Sequence, residues 1–247
     1  MAPPLDAKKP KQEAAVQAKP GCAPGIPPNG RKVLIISADM VEDTELTYPY
    51  YRLQAEGYEV HLATPEAKVI TGKHGVPMRG DLDIAKVSMK GYDALVIPGG
   101  QSPDQLRRTD TAAKLVAQAL RQGCWVAALC HGPQLLGSIP RELRGDRVVT
   151  SWISVRDEML NAGYDWVDEP VVVDNGVITS RNPQDLPVFV EVLIAALYGE
   201  LDDDAEMEEV PQEAPRGAQA TGQTKSKSKA GANGQSNATR KKQPARA

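Results

Sequence analysis

Apolar and polar positions divide this chain into a patterned body, residues 31–201, and two flanking stretches with no apolar periodicity. In the body, Lys32–Ser37 (K-V-L-I-I-S) predicts a strand buried on both faces. A loop at Asp39–Glu45 follows. Leu46, Tyr50, Leu53 and Gln54 then fall at helical spacing until Gly57 stops the helix. Tyr58–Thr64 alternates as a second strand, and residues 69–83, with Gly72, Gly75 and Gly80, predict a small hairpin excursion. Tyr92–Ile97 is a third strand ending at Pro98-Gly99-Gly100, and 111–121 is a helix with Leu115, Val116, Ala119 and Leu120 on its apolar face. Trp125–Leu129 is an uncharged strand that stops at Cys130-His131-Gly132-Pro133, before a helical pattern resumes at Leu135 and Leu136. Further on come a short strand at Val148–Thr150, a helix at 154–161 closed by Gly163, a hairpin around Asn175-Gly176 and a last helix at Pro187–Tyr198. Strands alternating with helices imply a flavodoxin-like, doubly wound α/β fold, its mostly parallel sheet covered by helices on both faces. Ligands in such sheets meet the carboxyl ends of the strands, where the loops 39–45, 99–104 and 130–133 converge.

Composition narrows this to one folded domain, 31–201, between a disordered arm at 1–30 and a disordered tail at 202–247. No apolar run approaches 18 residues and no apolar leader opens the chain, so neither a membrane span nor a secretory signal is expected. Three cysteines, Cys22, Cys124 and Cys130, form neither a disulfide framework nor a metal-ligand spacing; a reduced, cytoplasmic protein without metal or cofactor is expected. The body holds 17 of the 29 basic and 23 of the 32 acidic residues, a mildly acidic balance that attracts no nucleic acid. The tail is acidic at Asp202–Glu209 and then basic at Lys225, Lys227, Lys229 and Arg240–Lys242. Those clusters could touch nucleic acid weakly and in a salt-dependent way, or simply keep the tail soluble.

Strand, abrupt turn and helix is the setting that holds a nucleophile on a strained bend, and Cys130 sits at the bend. A cysteine attacks as its thiolate and needs a base or a positive dipole to become one. The helix beginning near Pro133 would supply the dipole. For a base the chain offers only His61, His74 and His131. With no histidine after 131, the class I glutamine amidotransferase arrangement, which needs one far downstream, is excluded. His131 is the candidate by adjacency, while His61 within a strand and His74 in a Gly-flanked loop read as structural or surface residues. Glu42, just past the first strand, would be protonated and donate a hydrogen bond if buried against a thiolate; otherwise it is ordinary helix N-terminal charge, like Asp43 and Glu45. Gly99 and Gly100 permit close backbone approach, so the Gly100 N–H could join that of His131 as an oxyanion hole. Asp104 is either part of this chemistry or a helix cap.

These residues lie in segments that resemble the PfpI family of intracellular cysteine peptidases, in the superfamily of the Parkinson-associated deglycase, small-molecule glyoxalases and stress chaperones. The matching segments are K-V-L-I-I-S-A-D at 32–39, V-E-D-T-E-L at 41–46, T-G-K-H-G at 71–75, D-A-L-V-I-P-G-G at 93–100, A-L-C-H-G-P-Q-L-L at 128–136, N-A-G-Y-D-W-V-D at 161–168 and S-R-N-P-Q-D-L at 180–186. The resemblance implies that Cys130 is the nucleophile, His131 the adjacent triad histidine and Glu42 the buried acid beside the thiol. It also implies a triad carboxylate supplied in trans by a neighbouring subunit of a homodimer or larger assembly, such as a trimer of dimers. Here that position is Asp104, one methylene shorter than the family's glutamate, and Trp152 replaces a family tyrosine. Two classes of function follow. One is a cysteine hydrolase acting on peptides, on methylglyoxal, or on glycated protein or nucleotide. The other is a non-enzymatic stress or redox-sensing protein in which Cys130 is oxidised.

Overall fold

The apolar runs form one seven-stranded sheet, and the alternation within each run decides which helix layer a residue meets. The structure, a computed structural model, describes residues 30–201; the expected arm below residue 30 and the acidic-then-basic tail lie outside the described residues. In chain order the elements are β1 (Lys32–Ile36), α1 (Asp43–Ala55), β2 (Glu59–Thr64), β3 (Val69–Thr71), β4 (Pro77–Arg79), β5 (Leu82–Asp83), β6 (Ala94–Ile97), α2 (Ser102–Leu106), α3 (Asp110–Arg121) and β7 (Trp125–Leu129). They continue with α4 (Gln134–Gly137), α5 (Arg141–Arg144), β8 (Val148–Val149), α6 (Arg156–Ala162), β9 (Asp165–Trp166), β10 (Val171–Asp174), β11 (Val177–Ser180) and α7 (Leu186–Tyr198). The sheet order is β10-β11-β7-β6-β1-β2-β5. All neighbours pair parallel except β10 and β11, the antiparallel hairpin expected at Asn175-Gly176.

Because successive strand residues point to opposite faces, Val33 and Ile35 pack with Leu46, Leu53, Phe189 and Leu193 under α1 and α7. Leu34 and Ile36 pack with Leu115, Val116, Leu135 and Met159 under α3, α4 and α6. Each such buried side chain contributes about 1.5–3 kcal/mol, enough for the strands to hold strained loops at their carboxyl ends. Among the described residues no helix is long and apolar enough to cross a membrane.

Three local departures from the sequence pattern matter to function. Helix α1 starts within the expected 39–45 loop: the N–H groups of Glu45 and Leu46 bond the Glu42 carbonyl at 3.1 and 3.3 Å, so Glu45 is already helical. Asp43 and Glu45 in that first turn suit its positive end. Helix α2 occupies what the pattern left as a loop; the fully buried Ser102 hydroxyl anchors it, accepting from Ala38 N–H at 2.8 Å and meeting Ser37 Oγ at 3.2 Å. The helix expected after Pro133 is a single four-residue turn. It stops at Gly137-Ser138, so its dipole is too short to lower the thiol's pKa as anticipated.

Candidate active site

Cys130 directly follows β7 with φ 60°, a left-handed conformation that costs a non-glycine residue about 1–3 kcal/mol. The surroundings hold it there: its N–H donates to Ser180 O at 2.9 Å, its carbonyl accepts from Trp152 N–H at 2.9 Å, and Gly132 N–H reaches back to Leu129 O at 2.7 Å. The bend turns the sulfur toward His131, with Sγ 3.3 Å from Nδ1. Across the sheet, the turn after β6 comes so close that a Cβ on Gly99 would lie 2.8 Å from Cys130 Cβ and 2.8 Å from the His131 nitrogen. Only glycine fits. The backbone N–H groups of Gly100 and His131 both donate toward the Cys130 sulfur, so the two groups expected to form an oxyanion hole do converge.

The carboxylic acid beside the thiol is Glu45, not Glu42. Glu45 is fully buried; its Oε2 accepts from Gly99 N–H at 2.8 Å, its carboxyl contacts the Cys130 thiol, and Oε1 has no other hydrogen-bond partner among the described residues. Burial raises its pKa to about 7, against the lowering effect of the Gly99 and Cys130 hydrogen bonds. Burial and then the Glu45 charge push the Cys130 thiol far up, while the Gly100 and His131 N–H groups pull it down. One proton is therefore shared between the two groups above neutral pH. When it sits on Glu45, the sulfur is a thiolate bonded by a carboxylic O–H and two N–H groups. His131 is half-buried and its pKa is lowered by burial and by the positive charge of Lys73, so it is a neutral imidazole at pH 7.

Glu42 stands outside the helix as its N-cap residue, and its side chain turns to the loop between β3 and β4. Its Oε2 lies 2.6 Å from Lys73 Nζ and its Oε1 3.4 Å from His74 Nε2. Five hydrogen bonds hold that loop against residues 39–43: Thr71 N–H to Asp39 Oδ1 (2.8 Å), Met40 N–H to Thr71 O (2.8 Å), Lys73 N–H to Val41 O (2.8 Å), and His74 and Val76 N–H to the Asp43 oxygens (2.7 and 2.8 Å). Asp43 packs where a Gly72 Cβ would be, 2.3 Å from Oδ1. Burial would raise the Asp43 pKa, but the His74 and Val76 N–H groups outweigh it and hold the carboxylate low. One donor atom each from Glu42, Asp43 and His74 lie within 4.8 Å of one another, a spacing that could hold a metal ion. Lys73 already neutralises Glu42, however, and both Asp43 oxygens accept backbone N–H groups.

Asp104 is exposed on α2 and makes no side-chain hydrogen bond or ion pair among the described residues, His131 included. His61 is structural: Nδ1 meets Tyr92 Oη at 2.9 Å and Nε2 lies 3.4 Å from Glu59. Trp152, expected only to lose a phenol, stacks on His131 with ring centroids 6.5 Å apart and planes 25° from parallel, and is 40% exposed. Sequence reasoning missed two residues, Glu45 and Lys73. Glu45 had a signal: it precedes Pro49 by four and Leu53 by eight, on the buried stripe of α1.

Residues 31–196 match the sequence profile of the DJ-1/PfpI family. The chain is 44% identical over 166 residues to Deglycase PfpI of Pyrococcus furiosus, covering 67% of this chain and 99% of that protein. It is 48% identical over 166 residues to an uncharacterized protein of Archaeoglobus fulgidus, covering 67% of this chain and 98% of that one. Among solved structures, a two-domain protein from Anabaena variabilis with DJ-1/ThiJ/PfpI-like and ferritin-like domains has TM-score 0.65 and 38% identity, and the match covers 72% of this chain and 52% of that one. Drosophila melanogaster DJ-1beta has TM-score 0.62 and 25% identity, covering 69% of this chain and 91% of its own.

Proposed function

Because this chain belongs to the DJ-1/PfpI family, we propose that it is a cysteine-dependent enzyme of α-oxoaldehydes and their early amine adducts, of the deglycase or glyoxalase type. The observation that carries this reading is the protonatable Glu45 carboxyl lying against the Cys130 thiol, while His131 has no carboxylate hydrogen-bonded to it among the described residues. Cleaving an amide requires an oriented histidinium to protonate an amine leaving group. Adding a thiol to an aldehyde requires only a thiolate, an oxyanion site and a group that moves one proton back and forth.

With methylglyoxal, the Cys130 sulfur adds to the aldehyde carbon and the carbonyl π pair moves to oxygen, which the Gly100 and His131 N–H groups receive. The Glu45 proton neutralises that oxygen, giving a hemithioacetal. Carboxylate Glu45 or neutral His131 then takes the proton from the former aldehyde carbon and returns it to the neighbouring carbon through an enediol. The result is a thioester of lactic acid, and water releases lactate and restores the thiol. Methylglyoxal plus water gives lactic acid, so the oxidation and reduction are internal and no cofactor is consumed. In an amine adduct, the same thiolate forms the S–C bond at the carbinol carbon as the C–N bond breaks, and the leaving amine takes the Glu45 proton, giving the same hemithioacetal.

A panel of methylglyoxal, a glyoxal-modified amino acid and a fluorogenic peptide, run on wild type and Cys130→Ala, tests this. Turnover of the first two by wild type, lost at least about 10³-fold in Cys130→Ala, is expected. Turnover that survives the substitution, or none of either carbonyl substrate by wild type, overturns it. Cleavage of the peptide that grows with protein concentration would instead favour hydrolysis in an oligomer. There the exposed Asp104 of a second copy would orient His131.

A further inference from the structure

The loop that carries Lys73 is fixed by five hydrogen bonds that do not involve its side chain; the side chain itself pairs with the nearly covered Glu42. Its position is specific. The Lys73 N–H is pinned to Val41 O at 2.8 Å, and its ammonium is aimed by Glu42 at 2.6 Å. The Glu42 backbone in turn lies against Gly100, whose Cβ would fall 2.4 Å from the Glu42 nitrogen, and the adjoining Gly99 abuts Cys130. The ion-pair partner of the ammonium therefore flanks the turn that donates to the sulfur. The Lys73 side chain is 46% exposed against 11% for Glu42, so the cation, not the carboxylate, is the solvent-facing member of the pair. Its charge acts on Glu45, Cys130 and His131 alike.

A neutral substrate gains nothing from such a cation, and His131 becomes a weaker base because of it. An anionic substrate would otherwise meet a thiolate, Glu42 and the Glu45 carboxyl, all repulsive or neutral. We propose that Lys73 is the specificity-determining residue of this site, selecting substrates that bear a carboxylate within three bonds of the carbon that Cys130 attacks. Adducts of an α-oxoaldehyde with a free amino acid have that chemistry, and the Lys73 N–H bonds not used by Glu42 would receive the carboxylate. The inference rests on the thiol reading above.

Two nearly isosteric alkylating agents, iodoacetate and iodoacetamide, test the charge preference separately from turnover. With either, the sulfur forms the S–C bond, the C–I bond breaks, iodide leaves, and the thiol proton passes to solvent. Rates at Cys130, resolved from Cys22 and Cys124 by peptide mass, give an iodoacetate-to-iodoacetamide ratio. That ratio should exceed the ratio for free cysteine, fall about tenfold in Lys73→Gln, stay within about threefold of wild type in Lys73→Arg, and rise in Glu42→Gln, a gain that misfolding cannot imitate. A wild-type ratio equal to that of free cysteine, or no change in Lys73→Gln, overturns the inference and leaves the thiol chemistry standing. A Cys130 inert to both reagents overturns both.

Discussion

The rim of the site and its floor are built from the same stretch, residues 39–46, and they handle negative charge in opposite ways. At the rim, Glu42 meets an ammonium at 2.6 Å and Asp43 accepts two backbone N–H groups, so both carboxylates have direct partners for their charge. At the floor, three positions along the chain from Glu42, Glu45 meets one N–H, a thiol and apolar walls, and its pKa rises to about 7. Glu42 is nearly covered as well, so exposure alone does not separate them; an ammonium in contact with Glu42 and none in contact with Glu45 does. The floor can therefore exchange a proton near neutral pH.

The sharpest way to break this contrast is to neutralise each glutamate. Glu45→Gln keeps an acceptor for Gly99 N–H but carries no transferable proton, so kcat for methylglyoxal should fall about 10²–10³-fold. Glu42→Gln should lower it by less than about tenfold, and the reverse order in steady-state assays would sink the division of roles. The pH profile sharpens the same point. Glu45→Gln, which removes the charge that pushes the thiol up, should move the alkylation profile of Cys130 to lower pH; a profile that does not move would contradict the coupling of the two groups.

Stability gives a somewhat smaller signal of fixed sign. Glu45 holds its proton more tightly folded than unfolded, with a pKa of about 7 against 4.5. The native state is therefore favoured fully below about 4.5, and that advantage declines as pH rises to about 7. The loss is about 3 kcal/mol. Urea unfolding at pH 5 and pH 8 should show it for wild type and lose most of it in Glu45→Gln. The smallest effect concerns the rim. Gly72→Ala places a Cβ 2.3 Å from Asp43 Oδ1 and pries it from His74 and Val76. A cost of about 2 kcal/mol in denaturant unfolding is expected, with a greater effect on the iodoacetate preference than on the iodoacetamide rate.

The comparison of sequence with structure turns on a few residues. Cys130-His131 at the end of an apolar run, and Gly99-Gly100 at the end of another, were legible because parallel strands bring their carboxyl ends to one edge whatever the side chains. The distinction between Glu42 and Glu45 was harder to read. Helical spacing was counted from Leu46, the first large apolar residue, which left Glu45 in a loop; the first turn of α1 is instead closed by bonds to the Glu42 carbonyl. The dipole expected after Pro133 failed for a related reason, since the length of α4 is set by where Gly137 and Ser138 end it. Trp152 and Lys73 reach the site from loops distant in sequence, so no local spacing could place them beside His131 and Glu42.

By itself, the sequence determined the sheet, its two helix layers, the strained bend and the thiol on it. Period-2 and helical apolar patterns together with glycine positions dictate these, and they are local properties. The tertiary structure alone decided which glutamate lies against the thiol, that the His131 pKa is lowered, and that a hairpin lysine pairs with the other glutamate. Those outcomes depend on through-space distances of a few ångströms between segments 30–100 residues apart, and on the dielectric that packing creates around them.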